Sequence, residues 1–167
     1  MFEQRSTGAV WVYAATLSSG LLMLALIVGA PLLSAHGHPI VGAIVYQAFV
    51  PLCHQIPERS FHLGGLPLAV CARCAGVYGG FVLALLIYPL WRSLDNEQTP
   101  GRIWLLIALL PMAIDALAGA AGLVETTFFS RTATGALAGA AVAFYILPGL
   151  VSIVRSRRAS SDRRSSA

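Results

Sequence analysis

Apolar residues run without alternation through four stretches of this chain, at 10–33, 72–91, 103–124 and 132–154, and polar residues collect between them. The residue-by-residue alternation of a transmembrane β-strand is missing from all four. Each stretch is roughly 20 residues long, which at ~1.5 Å rise per residue covers the ~30 Å hydrocarbon core of a bilayer. Inside that core the backbone finds no water, so each stretch must satisfy its own N–H and C=O groups as a helix. The expected fold class is all-α, an integral membrane four-helix bundle.

A fifth apolar stretch, 39–52, is too short to span and reads as an interfacial or re-entrant helix between the first and second spans. The connection "RSLDNEQTPG" is polar and carries a Pro-Gly turn. Residues 1–154 therefore form a single transmembrane helical domain, and the Ser/Arg-rich residues 155–167 form a disordered basic tail. The first stretch is longer than the ~7–15 residues of a signal-peptide core and is read as a retained span. Gly135 and Gly139 make a GxxxG pattern, and Gly76, Gly79, Gly80, Gly119 and Gly122 add small residues in the second and third spans. Such residues let helices approach closely, and packing within the chain is preferred to a homodimer seam. Trp11, Trp91, Trp104 and Tyr88 lie near span ends, where interfacial anchors are expected.

Composition agrees with the pattern. The chain of 167 residues is 57% hydrophobic and 11% charged, against about 25% charged in soluble domains. The formal charge of +4 comes from eleven arginines, without a lysine, set against seven acids. Arg5, Arg92, Arg102 and five tail arginines share one side if the N-terminus is cytoplasmic, leaving only Arg59, Arg73 and Arg131 opposite. The positive-inside rule favours that topology, with both termini cytoplasmic. The partner implied is the lipid bilayer. The basic tail is read as an anchor after the last span, and no nucleic acid is expected.

Reactive side chains are concentrated in "PLCHQIPERSFHLGGLPLAVCARCAGVYGG", residues 51–80, which holds all three cysteines. Cys71 and Cys74 form a C-x2-C pair at the start of a helix, on one face. With Cys53 and His54 they make a three-thiolate, one-imidazole set that suits zinc or another thiophilic metal ion. An odd number of cysteines is awkward for disulfides and natural for such a set. Neighbouring side chains diverge on a helix, so Cys53 and His54 need not both be ligands. His62 or Asp115 is then the alternative fourth ligand, or the position stays open to water as in catalytic sites.

Asp115 lies in the third span, and an intramembrane carboxylate is a functional candidate by default. With Arg131 and His54 it makes the candidate catalytic set for a metal-dependent enzyme acting on a small-molecule or lipid substrate. The competing reading is a structural ion pair of Asp115 with Arg131 or Arg73. Arg59 and Arg73 are further polar neighbours of the thiols, and Tyr78 lies one turn beyond Cys74 on the same face.

Other chemistries fit the same residues. A C-x2-C pair at a helix start beside Arg73 suits a membrane thiol–disulfide oxidoreductase. Metal handling or transport is a third possibility, and inert buried thiols are the bland one. The sequence lacks a G-x-S-x-G elbow, a phosphate loop and an H-E-x-x-H helix, so serine hydrolase, nucleotide-driven and ordinary zinc-protease chemistries have no support.

Taken together, "CHQ" at 53–55, "RSF" at 59–61, "CARCAGVYGG" at 71–80, Asp115 and "RTATGALAG" at 131–139 resemble a family of small prokaryotic multi-pass membrane proteins of unknown function. The resemblance implies a helical protein of the prokaryotic plasma membrane and adds Gln55 and Tyr78 to the positions around the site. It implies no activity.

Overall fold

The computed structural model describes residues 2–165, with side chains described for 7–157. Five helices follow one another: α1 (Phe2–Ala35), α2 (Pro39–Phe49), α3 (Ala72–Trp91), α4 (Arg102–Ala120) and α5 (Phe128–Ser165). Four are long and apolar enough to cross a membrane, and α2 is not. The all-α bundle with an extra short helix between the first and second spans is therefore observed. A two-strand hairpin, β1 (His62–Leu63) with β2 (Leu66–Pro67), is an addition that the apolar pattern did not signal. Gly64 and Gly65 turn it with φ of +60° and +83°, the left-handed values that a two-residue hairpin loop requires.

Glycines set how the long helices meet. Gly76 and Gly80 of α3 face the backbone of Thr132 and Ala136 on α5, while Gly135 and Gly139 of α5 face the carbonyls of Arg73 and Val77. Sequence number rises together on the two helices, so α3 and α5 run parallel with both N-termini at one end. A Cβ at any of the four would collide with backbone. The GxxxG pattern is thus filled inside the chain.

Two prolines tie α1 to the rest. Proline has no N–H, so it leaves the carbonyl four residues earlier without its helical partner. Pro31 frees the Ile27 carbonyl, which accepts from the Ala69 N–H at 3.3 Å. Pro89 frees the Leu85 carbonyl, which accepts from the Tyr13 hydroxyl at 3.2 Å. α2 folds back along α1, with Gly42 pressed on Ala30 and Ser34. Two buried clusters result. One holds Ile27, Phe49, Cys53 and Val70 at the thiol end, and the other holds Leu85, Tyr88 and Leu147 toward the opposite end.

Three expectations change. The third span ends at Ala120, not at 124, because Gly122 adopts φ +68° and closes the helix. The Leu123 N–H bonds the Ala118 carbonyl at 3.0 Å and the Gly122 N–H bonds that of Gly119, the double bond of a glycine-terminated helix. Tyr88 is buried against Phe144 and is not an interfacial anchor, whereas Trp11, Trp91 and Trp104 are exposed. Where a disordered tail was expected from residue 155, α5 continues to Ser165. Its Arg155 is fixed by ion pairs to Asp95 and Glu97 of the α3–α4 connection; residues 166 and 167 lie outside the described residues.

Candidate functional site

The site is assembled by the segment between α2 and α3. After Phe49 the chain makes one more turn, the Cys53 N–H bonding the Phe49 carbonyl at 2.9 Å, and the Cys53 side chain is buried. Gln55 then takes φ +51°, a left-handed value that costs about 1–2 kcal/mol for a residue with a side chain. Its amide Nε2 offsets that cost by donating to the carbonyls of Tyr46 at 2.7 Å and Ala69 at 2.8 Å. The segment before Cys53 and the segment before Cys71 are thereby pinned together. The Tyr46 hydroxyl adds a bond to the Pro67 carbonyl, and buried Ser60 bonds Ile56 at 2.9 Å.

Cys71 is the residue immediately before α3, and Cys74 lies one turn into it. The Cys71 N–H donates to the Cys53 sulfur at 3.2 Å. All three sulfurs lie within 4.8 Å of one another. Hydrogen bonding from the Cys53 and then the Cys74 side chain holds the Cys71 thiol well below the usual thiol range. A cavity of about 300 Å³ opens beside them, lined by Cys53, Cys71, Cys74, His54 and three arginines, Arg59, Arg73 and Arg131.

The remaining candidates divide. His54 borders the cavity but is exposed and stands outside the thiol cluster. His62 sits exposed on β1 and does not line the cavity. Asp115 forms an ion pair with Arg73, one of the two arginine partners expected for it, and does not itself line the cavity. Arg131 lies in the first turn of α5 and donates from Nε to the Thr126 hydroxyl at 2.7 Å. Tyr78 packs edge-on against Phe49, ring centres 6.3 Å apart, and lines a separate apolar groove of about 500 Å³ between α1, α3 and α5.

Reading the sequence missed Pro31 and Ala69, whose link through the Ile27 carbonyl sets the level of the loop along α1. The available signal was a proline inside a span, four residues after a carbonyl that had to find another donor.

The model of a family described as predicted membrane protein (DUF2085) matches residues 53–145, which takes in every thiol, α3, α4 and the first half of α5. An uncharacterized protein of Methanocaldococcus jannaschii is 43% identical over 108 residues, 65% of this chain and 69% of the relative. An uncharacterized protein of Methanothermobacter thermautotrophicus is 33% identical over 105 residues, 60% of this chain and 88% of the relative. No solved structure matches the chain.

Proposed function

Since the chain belongs to the DUF2085 family of membrane proteins, we propose that it is a membrane metal-binding protein that holds zinc, or another thiophilic ion, through Cys53, Cys71 and Cys74. The observation that carries this reading is the meeting of three sulfurs within 4.8 Å, from positions 18 residues apart along the chain. Tetrahedral coordination at the ~2.3 Å Zn–S length spaces sulfurs about 3.8 Å apart, so a small closing movement suffices. Two ligands stand at a rigid helix start and the third on a loop pinned by Gln55, a preorganised arrangement. The fourth position would be filled by His54, which borders the cavity, or by an exchangeable group held there. An ion held this way would supply Lewis acidity to whatever occupies that position. By the arginine distribution the centre faces the extracytoplasmic side.

A second reading has one observation in its favour, the lowered Cys71 thiol beside Cys74. As a thiolate, Cys71 would attack a substrate disulfide and expel one substrate sulfur as a thiolate. Cys74 would then displace the second, leaving a Cys71–Cys74 disulfide and a reduced substrate.

One purification separates the two. Metal content is measured by mass spectrometry on wild type and Cys71→Ser, with thiols trapped at harvest. About one ion per chain in wild type, lost in the variant, is the expected result. A metal-free protein carrying a Cys71–Cys74 disulfide establishes the exchange reading instead, and reduced thiols without metal overturn both.

A further inference from the structure

The parallel packing of α3 and α5 brings two helix N-termini to one cavity, and each carries an arginine in its first turn, Arg73 and Arg131. Helix N-termini carry partial positive charge and favour anions. Cations there work against the field. Arg59 adds a third guanidinium to the wall of the same cavity. One carboxylate, Asp115, pairs with this set. Glu58 and Glu125 are exposed, line no part of the cavity and form no ion pair among the described residues. Three guanidiniums against one carboxylate leave two positive charges. A dication within three thiolates contributes one negative charge, so an excess of positive charge remains with or without the ion. Arg73 is the partner of that carboxylate, so Arg59 and Arg131 carry the two charges left over at the cavity wall.

We propose that this cavity binds a phosphate-class oxyanion, received by Arg59 and Arg131 at the paired starts of α3 and α5, with Arg73 adding its charge from the cavity wall. Guanidiniums present planar forks matched to phosphate oxygens, and helix starts complement the same charge. The anion would offset the repulsion among the three cations. The inference names a ligand class for the cavity of the metal reading and rests on that reading only for the cavity's place, since the charge balance holds in either state of the thiols. The oxyanion has two sources, a lipid phosphate headgroup or a soluble phosphate.

The test uses the full chain in detergent. Inorganic phosphate binding is measured by calorimetry, and phosphatidic acid binding by native mass spectrometry with diacylglycerol as the phosphate-free control. Saturable binding is expected, weakened by at least about tenfold in both Arg59→Gln and Arg131→Gln. Their elution profile and metal content report that the variants are folded. Binding of phosphatidic acid alone assigns the site to a headgroup, and binding of inorganic phosphate assigns it to a soluble anion. No saturable binding of either, or binding that ignores both substitutions, overturns the proposal. Arginine-dependent binding by a metal-free protein would leave this inference standing while the metal reading fell.

Discussion

Tyr13 on α1 donates its hydroxyl to the Leu85 carbonyl on α3 at 3.2 Å. That carbonyl is available because Pro89 brings no N–H to the helix ladder. Ala69 uses the carbonyl freed by Pro31 in the same way. In an apolar surrounding a freed carbonyl gains from a protein donor, and Pro31 and Pro89 each create such a docking point between elements distant in sequence.

Tyr13→Phe should therefore destabilise the protein by about 1–2 kcal/mol, the cost of an unsatisfied buried acceptor. In a Pro89→Ala background residue 89 regains its N–H and bonds Leu85 itself, so the same change should cost much less. Unfolding of the four proteins of this cycle in detergent measures the coupling, and simple additivity would refute the account.

Gln55→Ala removes both bonds that join the Tyr46 and Ala69 carbonyls. A loss of about 1–3 kcal/mol is expected, together with slower joining of Cys53 to Cys71 or Cys74 by a short bifunctional thiol alkylator. Unchanged cross-linking would mean that the loop does not need this residue.

The glycine contacts give opposite expectations for neighbouring positions. Gly80→Val or Gly139→Leu should cost about 1–3 kcal/mol or more, because the added atoms meet backbone on the facing helix. Gly79→Ala, which meets nothing within 4 Å, should be neutral or stabilising. If Gly139→Leu instead dissociates a dimer while leaving monomer stability intact, the pattern serves association between chains.

The lowered Cys71 thiol predicts a pH profile. A folded-state value below the ordinary ~8.5 means that the thiolate persists when other thiols are protonated. After chelator treatment, iodoacetamide should label Cys71 at pH 6 nearly as fast as at pH 8, while an ordinary thiol slows steeply over that range. The thiolate's stabilising contribution is complete only above the ordinary value of ~8.5, declines as pH falls below it, and is gone once pH has passed the lowered value. Labelling of Cys71 that collapses between pH 8 and 6 would show an ordinary thiol.

Arginine bias sets the topology expectation. A periplasmic reporter fused after Arg102 should be inactive, and one fused after Glu125 active. The reverse pattern would turn the site to the cytoplasmic side.

The sequence by itself determined what depends on local pattern. Run length and apolarity marked four spans and one short helix, the second span to the residue, because a bilayer imposes helix and length on any such run. C-x2-C spacing put Cys71 and Cys74 together, since one helical turn brings i and i+3 to the same face. Tertiary structure alone decided the rest. Cys53 joins the pair only because Gln55, Ala69 and the Pro31-freed carbonyl fold a long loop onto α1. Asp115 meets Arg73 across 42 positions because α5 packs against both α3 and α4. Gly122, legible as one more small residue, ends a helix because of a left-handed φ. Each of these turns on a partner far away in the chain, or on one backbone angle, and neither leaves a periodic trace for a sequence to show.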